Sequence, residues 1–178
     1  MKGFKIGVHV SGTTAVQLVD GIVAAEAAGI DCAWLTSGGI AADPLATFAA
    51  AAMRTENIAF GTSILPTFPR HPLATAQGAL TVDALAPGRL RLGIGPSHKP
   101  SVEATYGIPF ERPLQHLREY LTILRTLFET GEVSFGCDAH GIRSPGERLS
   151  RVWRTGRWRD LLGLSVALSA RCRRPGDT

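Results

Sequence analysis

Apolar and polar positions alternate with period two over Lys5–Val10 (KIGVHV), which predicts a short half-buried strand. Thr13 or Thr14 is placed to cap a helix whose apolar positions, Val19, Ile22, Val23 and Ala27, recur at helical spacing up to Gly29, a natural C′ residue. Asp31–Thr36 (DCAWLT) predicts a second strand. Asp43 before Pro44 is an N-cap followed by a proline at the first helical position, opening an alanine-rich helix to about Thr55. Ile58–Leu65 predicts a third strand, and Pro72 opens a third helix that ends near Leu85, with Gly88 just past it. Arg89–Gly95 (RLRLGIG) predicts a fourth strand. Pro113 opens a fourth helix on which Leu114, Leu117, Leu121, Leu124 and Leu127 recur, ending near Thr130-Gly131.

The predicted strands start every 26–31 residues, about one βαβ unit each. Strands alternating with helices imply a parallel sheet joined by right-handed crossovers. An open doubly wound sheet and a (β/α)₈ barrel both fit, and both place ligands at the C-terminal ends of the strands. The pattern stops at Gly136. Residues 1–135 carry ten Lys/Arg and eleven Asp/Glu, whereas residues 136–178 carry nine Arg, no Lys and four acids. The net charge of +4 therefore belongs to the tail. We expect two parts: a folded body over 1–135 and an irregular basic tail over 136–178. An arginine excess without lysine is what an out-of-frame reading of G+C-rich DNA gives, and that origin is favoured over an ordinary irregular tail.

Composition narrows the function classes. The tail arginines (Arg148, Arg151, Arg154, Arg157, Arg159) are interspersed with Gly, Ser and Trp and form no nucleic-acid-binding motif. No apolar run reaches the ~18 residues of a membrane span, and Met1–Val10 lacks the features of a signal peptide. A cytoplasmic protein without nucleic-acid or membrane partners is expected. Cys32, Cys137 and Cys172 show neither metal spacing nor a disulfide framework, so no metal is expected.

An ordered set of motifs carries more information. Gly61–Pro72 (GTSILPTFPRHP) is followed by Ala76-Gln77, Gly88-Arg89, Leu92–Gly95 (LGIG), Pro113, Leu117–Leu121 (LREYL) and Thr130–Phe135 (TGEVSF). Together these resemble the luciferase-like monooxygenase superfamily over roughly residues 4–135. The resemblance is nearest to the deazaflavin (coenzyme F420)-dependent branch, which includes methylenetetrahydromethanopterin reductase. It implies a TIM barrel, so the chain is expected to be α/β, the N-terminal half of a (β/α)₈ barrel with four β–α units plus an irregular Arg-rich tail. A whole barrel needs about 250 residues.

The resemblance also implies a chemistry: hydride transfer between the deazaflavin and a small organic substrate, with the protein binding and orienting both. It implies a non-proline cis peptide at Ser63–Ile64, forming a bulge behind the coenzyme ring. Thr62, Ser63 and Ile64 are candidate coenzyme contacts, as are Thr36 and Ser37 after the second strand. Gly93 and Gly95 would let the backbone approach the coenzyme; a tight strand exit is the alternative. This GxG is no dinucleotide fingerprint, since no third glycine follows and no helix is expected to open there. His98 matches the position of an acidic residue in the sugar-phosphate dehydrogenases of the branch and could donate a proton; an exposed loop histidine is the alternative. If Ile6, Val8 and Val10 face the outer helices, His9 faces the lumen and is a second catalytic candidate. Arg70 could meet an acidic substrate group. Some relatives carry Asp-His after strand two, where this chain has Ser37-Gly38, so that histidine is absent.

The expected function is an F420-dependent oxidoreductase, impaired in this short form. The alternatives are an FMN-dependent monooxygenase of the same superfamily and an inactive half-barrel fragment. Four strands of a barrel leave two open edges, so homo-oligomers through those edges are expected as well.

Overall fold

The computed structural model describes residues 5–130; the expectations for the tail lie outside the described residues. The elements run β1 (Gly7–His9), α1 (Ala15–Ala27), β2 (Cys32–Leu35), α2 (Pro44–Ala52), β3 (Ala59–Thr62), β4 (Leu65–Pro66), α3 (Pro72–Leu85), β5 (Leu90–Arg91), β6 (Ile94–Gly95), α4 (Lys99–Tyr106) and α5 (Pro113–Thr130). Local chemistry sets the helix starts. Thr14 caps α1 in a capping box, its hydroxyl accepting from Gln17 N while the Gln17 side chain accepts from the cap backbone. The Asp43 carboxylate accepts from Ala46 N ahead of Pro44, and His71 Nδ1 accepts from Leu73 N ahead of Pro72. Gly29 and Gly88 take positive φ just past α1 and α3.

A four-stranded parallel sheet in the order β1-β2-β3-β5 carries the fold. In register, His9 lies beside Trp34 and Trp34 beside Gly61, and Gly61 pairs Arg91. Alternation then divides the side chains between two faces. Val10, Ala33, Leu35, Ile58, Phe60 and Leu90 are buried against the helices, and Phe60 stacks on Phe48 of α2 at 5.1 Å. Neighbouring helices pack in turn, α1 on α2, α2 on α3 and α3 on α5. On the opposite, concave face the Trp34 indole lies across two glycines. A methyl on Gly7 would come within 2.6 Å of Trp34 Nε1, and one on Gly61 within 2.3 Å of Trp34 Cε3. Both neighbouring strands must therefore lack a side chain at the indole's level.

Three details depart from the sequence pattern. The third and fourth strands are each interrupted: β3 gives way to β4 at Ser63–Ile64, and β5 to β6 at Leu92–Gly93, so that β4 and β6 form their own parallel pair. Alternation could not show this, because a side chain causes it. The Thr62 hydroxyl inserts between the strands, donating to Gly93 O at 2.7 Å and accepting from Gly93 N at 2.8 Å. Second, α4 stands where a loop was expected. Pro100 fits its first turn, and Gly107 ends it with a left-handed φ of 66°. Third, Leu114 is exposed on α5, and α2 stops at Ala52. The buried stripe of α5 is His116, Tyr120, Ile123, Leu124, Leu127 and Phe128.

Candidate functional site

Parallel α/β sheets present ligands at the C-terminal ends of their strands, where loops free of ladder constraints converge. At that end the chain has a run of polar side chains. His9 closes β1. Its Nε2 meets the Thr36 hydroxyl at 2.9 Å and its Nδ1 the Ser11 hydroxyl at 3.2 Å. Each hydroxyl can donate or accept, so either neutral tautomer of His9 is satisfied. The next strand continues the row: Ser63 N donates to Leu35 O at 2.8 Å, which places Ser63 beside Thr36. The Ser63–Ile64 peptide is cis, as the resemblance implied.

Gly93 and Gly95 end the row, for different reasons. A methyl on Gly93 would lie 2.2 Å from Thr62 O, so the neighbouring strand alone requires glycine there. A methyl on Gly95 would meet Ile64 Cδ1 at 3.4 Å, an ordinary contact. Packing leaves Gly95 unexplained. Thr62, expected at the coenzyme, is buried with its hydroxyl engaged by Gly93 in both directions. Below the row the concave face opens into a cavity of about 490 Å³, lined among others by Trp34, Ser63, Ile64, Arg91 and Gly93.

The remaining candidates lie on the loops that follow the strands. His98 is exposed as the N-cap residue of α4 and makes no side-chain capping bond. Ser97 before it has a left-handed φ of 66°. The helix that starts at Lys99 corrects the expectation that none opens after the GxG. Arg70 is ion-paired with Asp43, whose other carboxylate oxygen caps α2. Its guanidinium thus ties the loop before α2 to the loop before α3. Ser37 is half-buried in the loop after β2.

Sequence reasoning missed Ser11, Trp34, Thr67 and His116. His116 was detectable as a polar residue at helical spacing from Tyr120, Ile123 and Leu127 within an apolar stripe. It is 5% exposed, stacks on Phe68 at 4.0 Å, and meets the Thr67 hydroxyl at 3.0 Å through Nε2. Nearby, burial pushes the Tyr120 hydroxyl up to about 12, against the lowering effect of its 2.5 Å bond to Thr75. Burial likewise raises the Cys32 thiol above its ordinary value, more than Arg91 lowers it. Among the described residues no group of three or more His, Cys, Asp and Glu side chains could hold a metal ion. No helix there is long and apolar enough to cross a membrane.

Comparison with known proteins sets this geometry in context. The family model described as luciferase-like monooxygenase matches residues 4–157. The F420-dependent glucose-6-phosphate dehydrogenase of Nocardia farcinica is 37% identical over 147 residues, covering 75% of this chain and 43% of that protein. Among solved structures, the coenzyme F420-dependent tetrahydromethanopterin reductase of Methanopyrus kandleri superposes with a TM-score of 0.68 at 24% identity, over 83% of this chain and 45% of that one. The oxygenating constituent of 3,6-diketocamphane monooxygenase from Pseudomonas putida, in complex with FMN, gives 0.67 at 22% identity, over 76% and 43%. The chain spans less than half the length of each of these relatives.

Proposed function

The chain belongs to the luciferase-like monooxygenase family, and we propose that it supplies the first half of the (β/α)₈ barrel of an F420-dependent oxidoreductase acting on a small organic substrate. One observation carries this reading: the polar row His9–Thr36–Ser63 ends at Gly95, a glycine that no neighbouring atom among the described residues requires. Exposed imidazole and hydroxyl groups on His9, Thr36 and Ser63, next to a buried Gly95 that carries no side chain over the half-buried Ile64, fit a flat ring with a polar edge. When bound, the deazaflavin supplies the hydride chemistry.

The chain's own residues orient and protonate. Ser63 presents an exposed hydroxyl at the strand break, and Thr36 holds the His9 ring by its Nε2. Since both nitrogens of His9 are satisfied in either tautomer, its proton can sit on Nδ1 or Nε2 without loss of a partner. This suits His9 to give or take a proton at the edge of the site. His98, exposed at the start of α4, is the second proton donor in this reading. Thr62 and Gly93 hold the strand break open from behind, while Ile64 lines the face against which the ring would rest. Ser37 belongs to the loop beside Thr36 and would contact the same ligand edge. Arg70, paired with Asp43, shapes the site through its loop and reaches an acidic substrate group only by leaving that partner.

The test is titration of the 178-residue chain with F420 and, separately, with FMN, read by cofactor fluorescence. Saturable binding of F420 but not FMN supports the proposal. Preference for FMN replaces it with the monooxygenase reading. A cooperatively folded chain that binds neither refutes it for this chain and leaves the inactive half-barrel.

A further inference from the structure

We propose that His116 is a positioning residue: it fixes the backbone at the end of β6 through a two-bond relay from its ring to Thr67 and from Thr67 to Gly95. The proposal rests on the reading that Gly95 faces the coenzyme. Its structural part stands on separate observations.

His116 lies at the start of the buried stripe of α5, which continues through Tyr120, Ile123, Leu124 and Leu127. An apolar residue there would avoid the cost of taking an imidazole out of water. The ring is also clamped. Phe68 stacks on it at 4.0 Å and 14°, and Phe68 stacks in turn on Phe110 at 4.7 Å. The Tyr120 ring is tilted against it at 5.9 Å and is itself tied to Thr75. Nε2 is therefore held in one direction, toward the buried Thr67 hydroxyl at 3.0 Å.

The proton positions follow from the acceptor at the end. Gly95 O can only accept, and it accepts twice from Thr67, from N at 2.9 Å and from Oγ1 at 3.2 Å. The Thr67 hydroxyl proton is thus used on Gly95, so Thr67 Oγ1 must accept from His116, and Nε2 must carry a hydrogen. Without that donor the hydroxyl can rotate away, and Gly95 keeps a single tether. The Gly95 carbonyl sets the plane of the peptide into Pro96, from which Ser97 and His98 lead to α4. A helix two elements away, α5, thereby controls where the strand exit and the candidate proton donor stand.

The experiment uses the 178-residue chain and three variants. His116→Phe keeps the stacked ring and removes the donor; His116→Gln restores an N–H near the Nε2 position; Thr67→Val removes the hydroxyl at constant shape. Exchange of the Thr67 amide hydrogen is followed by NMR, and F420 affinity by fluorescence titration. The wild-type ring should show the Nε2–H tautomer by its nitrogen shifts. H116F should speed Thr67 exchange, and H116F and T67V should each weaken F420 binding about fivefold, the worth of one neutral hydrogen bond. H116Q should recover most of both, and the double variant should be no worse than either single one, because one relay is broken once. Thr67 exchange unchanged in H116F, or H116Q as defective as H116F, would overturn the relay. A wild-type chain that does not bind F420 counts against the function proposed above, and the exchange measurements then decide the relay alone.

Discussion

Two glycines two residues apart, Gly93 and Gly95, should respond to the same substitution in opposite ways. At Gly93 an added methyl carbon would sit 2.2 Å from Thr62 O and 3.3 Å from Thr62 C. Those atoms are backbone and cannot rotate aside. Reaching an ordinary contact distance requires a shift of roughly 1 Å or more. That shift would pull apart the pair of bonds between the Thr62 hydroxyl and Gly93. Overpacking costs about 1–3 kcal/mol and each lost hydrogen bond about 1, so Gly93→Ala should cost about 3 kcal/mol or more. Gly95→Ala meets only Ile64 side-chain atoms at 3.4, 3.5 and 3.8 Å. Its φ lies outside the left-handed range, so alanine is accommodated, and the less flexible unfolded chain adds about 0.4–1 kcal/mol of stability. The new methyl nevertheless lies against Ile64, on the face assigned to the coenzyme ring. Thermal unfolding of both variants, with F420 titration of G95A, checks the pair. We expect G93A to lose roughly 10 °C, and G95A to gain about 1–3 °C while F420 affinity falls about tenfold or more. An unchanged Tm in G93A would refute the strand-contact argument, and wild-type affinity in G95A would remove Gly95 from the coenzyme face.

Three further outcomes are expected. Burial raises Glu26, but the N–H groups of Ile58, Asn57 and Glu56 outweigh it and hold the carboxyl below its ordinary value. Its contribution to stability is therefore complete above the unfolded value of 4.5 and lost as pH falls through the lower folded one. The Tm gap between wild type and E26Q should accordingly narrow from about pH 6 to about pH 3, and a constant gap would show that the charge is irrelevant. Arg89 donates to Ile58 O, Thr55 O and Thr55 Oγ1 and lies over the Phe60 ring; R89M should lower stability by about 2–4 kcal/mol in urea, and a loss under 1 would mean that water replaces these bonds. Finally, among the described residues β1 and β5 are the outer strands of the four-stranded sheet, and edges left unpaired there should promote self-association. Size-exclusion chromatography should show species above the monomer, whereas a single monomer peak at high micromolar concentration would refute edge pairing.

The sheet and most helices could be read from the sequence because their signals are local. Asp43-Pro44 and Pro72 open helices by capping and fixed φ, and Gly29 and Gly88 end them. The βαβ spacing implied a parallel sheet but left a doubly wound order and a barrel order both open; the sequential order was what the resemblance implied. What was missed came from side chains acting across strands. Nothing within Arg89–Gly95 says that Thr62, 31 positions away from Gly93, will replace a ladder bond and split the strand. The leucine count on α5 included the exposed Leu114 and passed over His116, because periodicity ranks residues by hydrophobicity and cannot see a hydrogen-bonded imidazole as part of a core.

The site divides along the same line. His9 was legible because alternation puts it opposite Val8 and Val10, and its bond to Thr36 joins residues at the ends of adjacent strands. Thr62 and Gly93 were read as ligand contacts, yet their identities are accounted for by each other: one supplies a hydroxyl, and the other lacks the Cβ that would collide with it. Arg70 was read as a substrate contact, and Asp43 holds it. A residue type with two explanations carries functional weight only after packing has been given the first claim on it. Applied to the whole row, that criterion keeps Ser63 and Gly95, and His9 and Thr36 only in part, since those two bond each other. They stand at consecutive strand ends, where a parallel sheet offers its ligand face.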